Sequence, residues 1–266
     1  MMSKLARLLV LQLCLLIFTS ACASGTATPG PGTLTPEPTL AATSTEIWFP
    51  PTATPSPKPP TPVVLPTPDM RPGLGDVTLE DDFNPDSPWT LFRVESGSAA
   101  IGINELTIAV VKPRVVLSSY YQRALPQDFY LEITINASLC RGEDMYGLLL
   151  RASEIQKGYR FIANCNGQVR FDWNRSGTII PLRDWAASGQ VPPGSPVEYR
   201  LGIWNHGNEM RFFINDFYQF SVEKLTVPDG MLGIFARSAA DTPLTVNFSQ
   251  LRLRQVITEA ASGTSQ

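Results

Sequence analysis

The chain has 266 residues, with 21 Lys and Arg against 24 Asp and Glu and a formal net charge of -3. No cluster of basic residues stands out, which excludes nucleic acid as a partner, because phosphate binding needs a concentrated basic face. A single histidine and the lack of two close cysteine pairs also exclude a structural zinc site.

At the front, Lys4 and Arg7 precede an apolar run from Leu8 to Phe18 that only Gln12 interrupts, and the small residues Ser20 and Ala21 lead to Cys22. These are the three parts of a secretory signal. The run is far shorter than the ~20 apolar residues a spanning helix needs. Ser20, Ala21 and Cys22 resemble the end of the lipobox of bacterial lipoproteins, in which the thiol is acylated and the signal is cut away before it. Thr19 departs from that pattern, which usually carries Leu or another aliphatic residue at this position. The resemblance implies a lipoprotein signal peptide over 1–22, lipidation at Cys22, and an extracytoplasmic protein lipid-anchored to the membrane or cell surface of a bacterium. Acyl chains contribute about 0.8 kcal/mol per buried methylene, so two or three of them hold a domain at the bilayer. Cleavage after Ala21 or Ala23 by an ordinary signal peptidase is the alternative, and it releases the protein.

From residue 23 to 75 the composition turns to Thr and Pro, as in TPGPGTLTPEPT and PPTATPSPKPPTP, with EIWF (46–49) as an apolar island. Proline fixes φ and removes backbone donors, so this stretch reads as a disordered, extended linker. At about 3.1 Å per residue its reach is on the order of 150 Å. A Thr/Ser/Pro tract of this kind also has the composition of an O-glycosylated stalk.

Residues 76–256 form one domain of about 180 residues, long enough for a sizeable core, and 257–266 form a disordered C-terminal tail. Cys14 leaves with the signal, so Cys140 and Cys165 remain as an even pair in a compartment that permits disulfides. The predicted state is a Cys140–Cys165 bridge, with two buried thiols as the alternative. Apolar and polar residues alternate in 129–138, 146–153, 158–165, 168–174, 198–205, 209–216 and 244–254, the period of half-buried strands. In the last of these the apolar parity changes after Ser249, which predicts a bulge. Asn166-Gly167 reads as a type I′ turn, and His206-Gly207-Asn208, Asn215-Asp216 and Asp229-Gly230 also read as turns. Arg183–Ser188 is at most one helical turn. The fold class is therefore all-β, with two antiparallel sheets packed face to face and a barrel as the alternative.

The order of DDFNPDSPW (81–89), ELTIAV (105–110), MYGLLLRASEIQKGYRFIANCNGQVRFDW (145–173), PVEYRLGIWNHGNEMRFFINDFYQF (196–220), GMLGIFARS (230–238) and VNFSQLRLR (246–254) resembles concanavalin A-like, laminin G-like jelly-roll domains. The resemblance covers nearly all of 76–256 and implies a jelly-roll sandwich. It rests on packing positions, and its family spans lectins, glucanases and modules without known ligands, so activity must be argued from side chains. Hydrolytic members carry paired carboxylates on one strand, but Glu132 has Thr134 and Asn136 where the partners belong. Glu80, Asp81 and Asp82 lack the spacing of an EF-hand loop, so no metal or cofactor is assigned, and calcium held by loop carbonyls leaves no sequence mark. His206 falls in a turn with no nucleophile motif beside it.

The resemblance places ligands on the concave sheet or its rim, and the residues assigned to ligand contact are Arg151, Trp173 and Trp185. On 168–174, Val169, Phe171 and Trp173 share one face and Arg170 and Asp172 the other; on 146–153, Gly147, Leu149 and Arg151 share a face. For Trp173 the competing role is core packing, and for Arg151 a structural ion pair. The function these readings favour is a monomeric, non-catalytic module at the cell surface that binds carbohydrate or a cell-wall polymer. The alternatives are a glycan-active hydrolase of the keto-disaccharide hydrolase-like group, and a structural or protein-interaction display module.

Overall fold

The structure is a computed structural model, and it describes residues 69–154, 157–227, 229–239 and 243–257. The signal, Cys22, most of the linker and nearly all of the C-terminal tail lie outside the described residues.

Fifteen strands follow one another, and no helix occurs among the described residues. They begin with β1 (Leu74–Asp81), β2 (Phe92–Val94), β3 (Gly97–Ile101), β4 (Leu106–Val110) and β5 (Val116–Ala124). The middle of the chain forms β6 (Phe129–Leu139), β7 (Met145–Glu154), β8 (Lys157–Asn164), β9 (Gln168–Arg175) and β10 (Thr178–Ala187). The last are β11 (Val197–His206), β12 (Glu209–Ile214), β13 (Phe217–Val222), β14 (Met231–Arg237) and β15 (Leu244–Val256).

All the pairings are antiparallel and build two sheets. The larger runs β13-β12-β11-β6-β15-β4-β3-β2, with β1 also on β15, and the smaller runs β10-β9-β8-β7-β14-β5. This is the two-sheet antiparallel sandwich that the alternation predicts, and the jelly roll that the resemblance implies. Inward residues of both sheets merge into one core, with Phe212 of the larger sheet stacked on Phe161 of the smaller at 5.5 Å between ring centroids and tilted against Phe171 at 4.7 Å. Burial of this layer is the main source of stability, at about 25 cal/mol per Å² of apolar surface.

The bulge predicted after Ser249 is present. The β15–β6 register shifts between Ser249 and Arg252, and Gln250 has φ 53°. It moves the inward parity from Leu244, Val246 and Phe248 to Leu251 and Leu253, all of them buried. Asn215 and Asp216, both at positive φ, close the β12–β13 hairpin in the type I′ manner. The β8–β9 turn differs from the type I′ expectation. Gly167 is at φ 75°, but Asn166 is not at positive φ, and the Gly167 N–H donates to Asn164 O at 3.1 Å, so the loop holds three residues, Cys165 to Gly167. The extra residue sets Cys165 inside, bonded to Cys140 with 5.8 Å between their Cα atoms, within the usual span of a disulfide.

Arg183–Ser188 is not helical; β10 runs through it to Ala187. Its pairing with β9 slips between Pro181 and Arg183 and again between Arg183 and Ala186, which hides the period of two. As an edge strand it tolerates Pro181, whose missing donor costs no central ladder bond.

Ahead of β1, residues 70–72 strap onto the outer face of the larger sheet. Met70 packs on a patch of Tyr130, Trp204 and Phe213. The Trp204 Nε1 donates to Pro72 O at 3.0 Å, the Arg211 Nη1 donates to Met70 O at 3.1 Å, and the Arg71 guanidinium lies 5.1 Å from the Phe213 ring centroid.

Candidate ligand-binding face

The structure separates the three residues assigned to ligand contact. Arg151 lies in a β-bulge, with φ 50° and the β7–β8 register shifting between Leu150 and Glu154. The bulge corrects the expectation that Arg151 continues the face of Gly147 and Leu149. Its side chain turns inward and crosses toward the larger sheet, and the residue is only 4 % exposed. Nη1 donates to Val227 O at 2.7 Å, and Nη2 donates to Asn205 Oδ1 at 2.9 Å and Gly207 O at 2.8 Å. Burial lowers its pKa from the ordinary guanidinium value, opposed by Tyr159, Asp128 and Asp229. Among the described residues no carboxylate is one of its hydrogen-bond partners, and the guanidinium ties the two sheets through carbonyls and one amide. Two glycines permit the bulge: a Cβ on Gly230 would stand 2.3 Å from the Arg151 carbonyl carbon, and one on Gly158 would stand 2.8 Å from the Ala152 Cα.

Trp173 extends the inner face of β9 at the margin of the core, near Tyr159 at 6.4 Å between centroids, with the Arg175 guanidinium 5.4 Å from its ring. Trp185 alone of the three belongs to the outer face of the smaller sheet. There it packs, half-buried, with Tyr120 and Met145 against Leu149, Ala152, Ile162 and Phe235. The described residues form two sheets only, so this second apolar layer has no third sheet over it.

Charged side chains stand within that layer. Arg160 on β8 and Asp172 on β9 are cross-strand partners, and Arg170 follows on β9 beside Ile162. The Arg160 Nη2 donates to Asp172 Oδ2 at 3.1 Å and the Arg170 Nε to Asp172 Oδ1 at 2.5 Å. Asp172 is buried. The Arg170 guanidinium lies 5.7 Å from the Trp185 ring centroid, which couples the aromatic to the ionic group. Alternation along 168–174 already sets Arg170 and Asp172 opposite Phe171. The pairing of Arg160 with Asp172 depends on the β8–β9 register, and Arg160 carries no sequence signal beyond its place between Tyr159 and Phe161.

The other acidic candidates have structural partners. Asp81 accepts from Phe83 N at 2.8 Å, Ser87 Oγ at 2.6 Å and Trp89 Nε1 at 3.0 Å, closing the loop after β1. Glu80 pairs with Arg252 at 2.8 Å, and Glu132 faces Arg200 at 3.6 Å on the outer face of the larger sheet. His206 ends β11 with Nδ1 3.3 Å from Asp128 Oδ2.

No protein-family model matches this chain, and no curated protein matches it. Solved structures do. The carbohydrate-binding module CBM66 from Bacillus subtilis superposes with a TM-score of 0.52 at 15% identity, over 64% of this chain and 96% of that one. A Bacillus subtilis protein of unknown function with a galectin-like fold gives a TM-score of 0.52 at 11% identity, over 70% and 99%. A structure described with endo-acting O-glycanases of the human gut microbiota gives 0.50 at 11%, over 68% and 100%. At such identities the likeness is one of fold, and the described residues have the concanavalin A-like jelly-roll sandwich.

Proposed function

We propose that this chain is a non-catalytic carbohydrate-binding module, held outside the cytoplasm by a lipid on Cys22 and its proline-rich linker. The ligand face is the outer surface of the smaller sheet. The observation that carries this reading is the meeting there of Trp185 with Arg160, Arg170 and Asp172. Sugars combine an apolar ring face with fixed hydroxyls, and an aromatic plate beside side chains locked by ion pairs answers both. The fold shared with a carbohydrate-binding module supports the reading. Both oxygens of Asp172 are engaged by arginines, which suits it to orienting those arginines rather than to the proton transfer a glycosidase carboxylate performs. Binding is therefore favoured over hydrolysis.

The test is a glycan array probed with the full chain in detergent and with Trp185→Ala. The expected result is saturable binding that the substitution weakens at least tenfold; absence of any glycan bound, or identical binding by the variant, refutes the assignment. For the tether, mass spectrometry of the native N-terminus is expected to find acylated Cys22, and an N-terminus at Ala23 or a retained signal refutes it.

A further inference from the structure

Among the described side chains, the outer face of the smaller sheet holds more positive charge than Asp172 neutralises. Arg160, Arg170 and Arg237 all stand there, the last two residues beyond Phe235 on β14, with its Nη1 3.6 Å from the Met145 sulfur, a weak acceptor. Against them lies Asp172, 2 % exposed at its side chain and occupied on both oxygens by Arg160 and Arg170. The Arg160 Nε is buried and meets no acceptor among the described residues. Burial lowers the Arg160 pKa; Asp172 opposes the shift, and repulsion from Arg170 and Arg237 adds to it. The face is thus cationic on a chain whose net charge is -3.

We infer that this face takes an acidic saccharide, one bearing a carboxylate as uronic acids do, with the anion among Arg160, Arg170 and Arg237 and the sugar ring on the adjoining apolar layer. The inference rests on the carbohydrate-binding reading and narrows it. Guanidinium forks match carboxylates in geometry, and two of these arginines already hold one. An arriving carboxylate supplies acceptors to the solvent-exposed guanidinium edges of Arg160, Arg170 and Arg237, whose side chains Asp172 covers only in part. It is also attracted over a range of about a Debye length, ~8 Å at physiological salt.

The experiment is an array carrying uronic-acid, sulfated and neutral glycans, probed with the full chain and with Arg237→Gln, which leaves both Asp172 ion pairs in place. The expected result is binding to carboxylated glycans that falls at least tenfold on methyl esterification of the carboxylates, weakens with rising salt, and falls several-fold in the variant. Binding confined to neutral or to sulfated glycans, or indifferent to esterification, overturns the inference while carbohydrate binding stands. Failure to bind any glycan overturns both.

Discussion

Replacing Arg151 with Met separates a structural role for this arginine from ligand contact. Met keeps most of the apolar stem and deletes the charge with its three hydrogen bonds to Val227 O, Asn205 Oδ1 and Gly207 O. Each bond from a charged donor contributes about 1.5–3 kcal/mol. The variant also avoids burying a guanidinium, a desolvation cost of several kcal/mol. Three acceptors are left partly unpaired in its place, and the net loss should be about 3–5 kcal/mol. In a domain of this size that lowers Tm by ~10 °C. Differential scanning calorimetry of the full chain reads the shift, and the array gives glycan binding below the lowered midpoint, where it should match the parent. A Tm within ~2 °C of the parent, or lost glycan binding with Tm unchanged, would refute the cross-sheet tie.

Phe212 is fully buried between the sheets, so Phe212→Ala should cost about 3–5 kcal/mol in urea unfolding; a loss under ~1 kcal/mol would contradict the cross-sheet stacking. Gly230→Ala meets the Arg151 backbone at φ 148° and should destabilise by roughly 2 kcal/mol or more, whereas Gly194→Ala, with open space around its Cβ, should cost less by the same measurement. Reducing Cys140–Cys165 reopens a loop with a sequence separation of 25, and stability in dithiothreitol should fall by about 3 kcal/mol; equal urea midpoints with and without reductant would contradict this. Burial pushes the Tyr146 hydroxyl up to about 12, with the neighbouring Tyr199 hydroxyl opposing the shift. Because the folded value lies above the ordinary 10, this stabilisation is complete below pH 10 and is lost between pH 10 and 12, by about 2–3 kcal/mol. Tyr146→Phe should flatten that part of the alkaline unfolding curve, and an unchanged slope would count against it.

Much of the sandwich is legible in the chain because a period of two survives wherever one face is buried and pairing stays in register. Residues 129–138 and 209–214 show this cleanly, and the parity change after Ser249 carries its own bulge. The reading fails where one residue breaks the period. A bulge at Arg151 sends a side chain that alternation aims outward into the interior. Two slips flanking Arg183 disguise an edge strand as a helical turn. The outer cluster was half visible: Trp185 stands out as an aromatic and Arg170 with Asp172 as charges opposite Phe171. Arg160 joins them only through the register of β8 on β9, a relation between strands that composition along either one does not encode.

The strap at Met70 to Pro72 has a mechanical consequence. Tension arriving through the residues before Asp69 is taken first by that clasp on Trp204 and Arg211, then by the pairing of β1 with β15. Both belong to one slab of the sandwich, and Arg160, Arg170 and Trp185 stand on the other. A pull from the N-terminal side therefore loads the slab that does not carry the Arg160, Arg170 and Trp185 cluster.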